Sequence, residues 1–244
     1  MKKVVPVFAL CGVMLLTFAG LGWASDRDNE VKRIDNSASV LNEIMKTPDK
    51  GIPDDVMKKA VCVAVVPSLK KAGFVFGGEY GKGVASCHNA NGWSAPAPFT
   101  VGGGTWGLQI GGEAVDLVLL VMNDKGMEAL LSSKFKLGAD ASVAAGPVGR
   151  QAEGDTDWRM KAEVLAYSRT RGIFAGLTIN GAVMAQDHDA TRAFYGNDDS
   201  FQSILKGQVK APYGSVPFLE SLKNFSVQAQ SARANPNQGQ PVQQ

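Results

Sequence analysis

Apolar residues at Val31, Ile34, Ala38, Leu41 and Met45 recur at steps of three and four, the spacing that lines up side chains on one helix face. Residues 26–47 therefore read as an amphipathic helix, with Val40 and Ile44 widening its stripe. Pro48 ends it, because proline lacks the amide hydrogen the helix needs, and Asp49-Lys50-Gly51 makes a turn. A short second helix is expected from Pro53 to Ala60, with Asp54 and Asp55 at its positive end.

The pattern then changes to strands. Val61 to Val66 is an apolar run that Pro67 should end. Phe74, Phe76 and Tyr80 share one parity, Val84 to Cys87 follows, and Asn89 to Gly92 turns the chain into a return strand from Trp93 to Ala97. Leu108 to Ile110 and Val115 to Met122 supply further strands. The second of these is apolar on both parities except for Asp116, so it should be central with both faces covered. Asn123 and Asp124 begin a short helix through Leu131. Alternation from Phe135 to Ala145 restores strand character, and residues 158–168 and 173–185 continue it around a turn at Arg169 to Gly172. Short helices are expected over 190–195, 200–206 and 216–225. Residues 226–244, rich in Gln, Asn, Ala and Pro with no apolar stripe, read as a disordered tail.

Composition sharpens this picture at three points. Glycine accounts for 28 of 244 residues, and twelve of these fall between Gly73 and Gly112, which favours tight turns and close strand contacts there. Residues 1–24 resemble a signal peptide: Lys2 and Lys3, an uncharged stretch from Val4 to Leu21, and small Gly22 and Ala24 before a cut at Ser25. An uncleaved anchor is the alternative, since the apolar run is long for a signal. Cleavage would place the domain, residues 25–225, in the periplasm or cell envelope. It would also remove Lys2 and Lys3 from the 25 basic residues and leave 23 of each sign, a balance that gives no bulk attraction to nucleic acid. Cys62 and Cys87 would then sit in an oxidising compartment, where a disulfide is allowed; two buried thiols are the other reading.

Few residues in the sequence suggest catalytic chemistry. Gly102-Gly103-Gly104-Thr105-Trp106-Gly107 has the glycine spacing of a dinucleotide loop but precedes strand-like residues instead of a helix. Gly77 to Gly83 lacks the Ser or Thr that a phosphate loop requires. His88 and His188, with two cysteines, are too scattered for a zinc site. Glu79, Glu113 and Asp116 are carboxylates in strand-rich sequence that could form a catalytic pair, though such residues more often face solvent or accept backbone bonds. The stripe on the first helix is the stronger candidate. It either packs on the protein's own sheet or enters a lipid headgroup region. Lys70 and Lys71, in a turn beside Pro67 and Gly73, could reach phosphates, or could be ordinary solvated charge.

Several ordered stretches carry a family resemblance. They are Ile52-Pro53 before Ala60, Lys71-Ala72-Gly73-Phe74, Gly81-Lys82-Gly83-Val84, Gly92-Trp93-Ser94-Ala95-Pro96 and Gly107 to Val121. Leu137 to Asp140, Ala145 to Arg150, Tyr167 to Gly176, Phe194-Tyr195-Gly196 and Ile204 to Gly207 complete the set. In this order, over residues 30–225, the chain resembles the SYLF, or Ysc84-type, domain family, as a bacterial exported member.

The resemblance implies a lipid-binding module whose N-terminal amphipathic helix contacts phosphoinositide-bearing membranes in eukaryotic relatives, some of which also bind actin. Here the helix is more acidic, and an exported bacterial protein is not expected to meet actin. The expected fold is α+β: a curved, mostly antiparallel, barrel-like sheet with the N-terminal amphipathic helix and short C-terminal helices. The expected function is non-enzymatic binding of anionic phospholipid at a membrane surface, without a cofactor or metal. Val31, Ile34, Leu41, Ile44 and Met45 would insert, and Lys32, Arg33, Lys70 and Lys71 would contact headgroups. A protein-interaction or scaffold module of the envelope, with an unknown protein partner, is the alternative.

Overall fold

The computed structural model describes residues 19–46, 51–73, 76–106, 111–148, 161–170, 173–176 and 179–234. Residues 1–18 of the expected signal peptide (1–24), the strand at Leu108 to Ile110, the Arg171-Gly172 half of the expected turn at Arg169 to Gly172 and the tail beyond Ala234 lie outside the described residues.

The longest strands follow one another directly. They are β1 (Cys62–Gly73), β2 (Phe76–Asn89), β3 (Gly92–Trp93), β4 (Ala97–Trp106) and β5 (Gly111–Val121). Shorter strands follow: β6 (Lys134–Lys136), β7 (Val143–Ala145), β8 (Val164–Thr170), β9 (Ile173–Gly176) and β10 (Val183–Gln186). Hydrogen bonding runs in the order β6-β10-β4-β2-β1-β5-β8-β7, with β3 on β2 and β9 on β8. The sheet curls into a half-barrel in which β7 and β8 are parallel and the other neighbours antiparallel. Among the described residues six α-helices surround it: α1 (Ala19–Met45), α2 (Asp54–Lys59), α3 (Asp124–Leu131), α4 (His188–Tyr195), α5 (Phe201–Leu205) and α6 (Val216–Ala234). The expected α+β architecture is therefore present.

Alternation sorts β5 between two cores, as its doubly apolar pattern predicted. Leu117, Leu119 and Val121 join Phe99, Leu130, Phe135 and Phe201 on the face covered by α3 and α5. Val118 and Leu120 join Ile34, Leu41, Ile44, Phe218, Leu222 and Phe225 on the face covered by α1, α2 and α6. At Gly83, β2 packs tightly against β1 and Phe99. A Cβ on Gly83 would stand 2.3 Å from the Val65 carbonyl oxygen and 2.8 Å from Phe99 Cζ, so no side chain fits there.

Pro67 does not end β1. The ladder to both neighbouring strands shifts register around it, between Val65 and Lys70 on one side and between Val66 and Leu69 on the other, and then resumes to Gly73. Proline cannot donate to a ladder, so a bulge absorbs it. Ser68 takes φ +58° there, and its N–H donates to Asp116 Oδ1 at 3.0 Å. Cys62 and Cys87 are direct cross-strand partners on β1 and β2, fully buried and joined as a disulfide.

Three segment boundaries differ from expectation. The return strand, expected from Trp93 to Ala97, is two residues long (Gly92–Trp93), and Gly102 to Gly104 lie inside β4. The Phe135–Ala145 alternation divides into β6 and β7 around Gly138, whose φ of +85° turns the chain. Helix α6 continues through Ala234, nine residues past Phe225; once Phe218, Leu222 and Phe225 anchor a helix, each further residue adds a hydrogen bond at little cost.

Candidate functional site

The stripe on α1 points inward. Ile34, Ala38, Val40, Leu41 and Ile44 are buried, with Leu41 at 0% exposure, and Val31 is half-buried beside Gly214 and α4. The Met45 side chain lies outside the described residues. Four large aliphatic side chains at roughly 1.5–3 kcal/mol each make the docking worth about 6–12 kcal/mol, an upper estimate. That equals most of the stability of a typical domain, about 5–15 kcal/mol. Of the two docking modes left open by the sequence, the structure takes the internal one. Ile34, Leu41 and Ile44 are core residues and are not presented to lipid.

The basic candidates divide similarly. Lys32 and Lys70 are exposed. Arg33 donates to Glu30 Oε1 at 2.8 Å and to Asp187 Oδ2 at 3.3 Å, and Lys71 Nζ lies 3.7 Å from Glu79 Oε2. Lys70 and Lys71 stand on β1 and not in a turn, so their side chains leave opposite faces of the sheet.

Where α1 crosses α4, the chain forms a polar groove of about 590 Å³. Glu30 and Arg33 come from α1, Lys82 from β2, and Ala190, Arg192 and Ala193 from α4. Asp187 caps α4, accepting from the Ala190 N–H at 3.1 Å, and takes Lys82 Nζ at 2.9 Å. Burial alone would raise the Asp187 carboxyl, but Lys82, the Ala190 N–H and Arg33 together hold it below its usual value. Burial dominates at Glu30 and pushes its carboxyl up, helped by Asp187 and opposed by Arg33 and Lys82. Arg192 reaches Asp189 and, at 3.1 Å, Asp198, which also accepts from His188 Nδ1 at 2.8 Å.

A ledge extends from this groove along β2. Tyr80 and Lys82 share the sheet face that carries Val84 beneath α1. Tyr80 is 52% exposed, its ring lies over Gly102, and its cross-strand partner is Lys70. An exposed aromatic ring is thus flanked by Lys70 and by groove-lining Lys82.

A family model described as Ysc84, Las17-binding protein actin regulator, matches residues 102–225, just over half of the chain. The chain belongs to the Ysc84 family. Across 209 residues it is 34% identical to the SH3 domain-containing YSC84-like protein 1 of Rattus norvegicus, covering 83% of this chain and 60% of the relative. Protein YSC84 of Saccharomyces cerevisiae is 34% identical over 197 residues, 77% of this chain and 42% of the relative. LAS seventeen-binding protein 3 of the same species is 34% identical over 180 residues, 72% and 39%. The chain therefore spans 60% or less of the length of these curated relatives.

In this Ysc84-family chain, Glu79 and Glu113 share one sheet face on either side of Lys71, and Asp116 leaves the other. Glu113 and Asp116, three apart on β5, leave opposite faces of the sheet. Glu113, Lys71 and Glu79 are register partners across β5, β1 and β2. Burial raises the Glu79 carboxyl against the pull of Lys71. Asp116 braces the bulge, accepting from Ser68 and from Arg169 Nε at 2.8 Å, and Arg169 also reaches Glu43 on α1. No group of three or more His, Cys, Asp or Glu among the described residues could hold a metal ion.

Sequence reasoning passed over Tyr80, Glu30, Lys82, Asp187 and Arg192. The parity of Tyr80 was legible, and an aromatic flanked by lysines on a glycine-rich strand is a usable signal. The pairing of Arg33 with Asp187, 154 residues apart, leaves no trace in spacing.

Proposed function

We propose that this Ysc84-family domain binds anionic phospholipid surfaces peripherally, without catalysis and with α1 docked. The ledge of Lys70 and Tyr80, continuous with the α1–α4 groove, makes the contact. The carrying observation is Tyr80, more than half exposed on a strand, with a lysine in register beside it. Tyrosine suits a membrane interface because its ring is apolar and its hydroxyl wet, and a lysine near an anionic surface adds roughly 1 kcal/mol. The Cys62–Cys87 disulfide fits an oxidising compartment such as the periplasm or cell envelope. No helix among the described residues is long and apolar enough to cross a membrane, and a peripheral contact requires none.

Flotation of the purified protein with phosphatidylglycerol vesicles and with neutral phosphatidylcholine vesicles tests this. Binding should favour the anionic vesicles and weaken about ten-fold in a Lys70→Ala/Tyr80→Ala variant that melts like wild type. Equal binding by the variant, or none by wild type, would refute it.

A second reading, a protein-interaction module without lipid contact, is favoured by the names of the relatives, one of them called a LAS seventeen-binding protein. It expects the ledge variant to lose a purified partner while neither form floats.

A further inference from the structure

Glu30 lines the α1–α4 groove, and one of its carboxylate oxygens has no partner among the described residues. Glu30 is only 6% exposed, and its Oε1 is taken by Arg33. Its Oε2 is buried and has no hydrogen-bond partner among the described residues. A buried acceptor left unbonded costs about 1–3 kcal/mol, so a donor that enters the groove and reaches it gains that much relative to one that meets water.

Charge decides which donor. Arg33, Lys82 and Arg192 already have carboxylate partners: Glu30 and Asp187 for the first, Asp187 for the second, Asp189 and Asp198 for the third. Acidic groups outnumber these cations, which disfavours a bare anion. An ammonium suits Oε2. Yet Lys82 and Arg192 also line the groove and are about half exposed, and an ammonium with three N–H donors and a guanidinium with five keep donors beyond those their carboxylate partners take. A ligand carrying both an ammonium and an adjacent anionic group satisfies Glu30 and these cations together.

We infer that the groove is a binding site for a small zwitterion, in which a primary ammonium bonds Glu30 Oε2 while a phosphodiester meets Arg192 and Lys82. Resting on the lipid-surface reading, its source is the phosphoethanolamine headgroup. The groove volume of about 590 Å³ is ample for that group, and Lys82 joins the groove to the Tyr80 ledge on the same strand face.

Titration calorimetry of the full chain with sn-glycero-3-phosphoethanolamine tests the site. Binding should weaken about ten-fold with glycerophosphocholine, which has no N–H, with glycerol 3-phosphate, which has no ammonium, and with ethanolamine, which has no phosphate. Glu30→Gln replaces the free acceptor and should lose about ten-fold as well. Ala193→Met, which fills the groove without altering charge, is the check if Glu30→Gln melts early. Absence of glycerophosphoethanolamine binding, or equal binding by glycerophosphocholine or by both variants, would overturn the site. Flotation on phosphatidylglycerol vesicles with and without phosphatidylethanolamine separates the two claims. Floating that ignores phosphatidylethanolamine and Glu30→Gln leaves the lipid surface and removes the groove. Binding of soluble glycerophosphoethanolamine without floating keeps the groove and removes the membrane.

Discussion

Leu41→Ala asks whether α1 is part of the body or a detachable lipid probe. Leu41 is fully buried in the core formed by α1, α6 and one sheet face, alongside Val63, Val84, Leu120, Phe218 and Leu222. Leucine-to-alanine changes in cores cost about 2–5 kcal/mol, the larger values where the surroundings cannot collapse into the cavity. Here a sheet lies beneath and a helix alongside, so a loss of about 3–4 kcal/mol is expected. With a urea dependence of about 2 kcal/mol/M, the unfolding midpoint should fall by about 1.5–2 M with its slope unchanged. A docked α1 also predicts the same vesicle affinity for variant and wild type at low temperature, where both are folded. If α1 left the body to insert, weakening its docked state would shift the equilibrium toward insertion and alter affinity. A stability loss below about 1 kcal/mol, or an affinity change beyond about three-fold in either direction, would refute the docked helix.

Opening the Cys62–Cys87 disulfide, which spans 25 residues, should cost up to about 3.5 kcal/mol by loop entropy; a Cys62→Ala/Cys87→Ala variant with an unchanged urea midpoint would count against the bridge. Asp116→Ala removes the acceptor of both Ser68 N–H and Arg169 and should cost about 2–3 kcal/mol, read by thermal melting, whereas a silent change would show that the bulge holds itself. Burial raises the carboxyls of Glu30, Glu79 and Asp116, so the folded chain binds their protons more tightly than the unfolded one, and stability should rise as pH falls from 7 toward the ordinary carboxylate range. The bond from Lys125 lowers the Glu163 carboxyl and Lys82 lowers that of Asp187; their contribution is present above the unfolded value of about 4 and lost as pH falls through their lower folded values. A denaturation midpoint that declines steadily from pH 7 downward would contradict this assignment.

What the sequence by itself determined was the kind of element at most places and the family. Periodicity marked α1, the doubly apolar Val115–Met122 run marked a central strand, and the ordered motifs over 30–225 marked the Ysc84 family, because each signal is written in neighbouring residues. It also placed Cys62 and Cys87 as a possible pair, without deciding it. Only the tertiary structure decided what the α1 stripe faces. An amphipathic helix carries the same pattern whether its apolar side meets a sheet or a bilayer, since burial removes water from the same side chains in either case. The groove likewise arises only where α1 crosses α4, bringing Glu30 and Arg33 beside Asp187 and Arg192. Contacts across 150 residues depend on how strands pair and helices cross, and that information is spread over the whole chain.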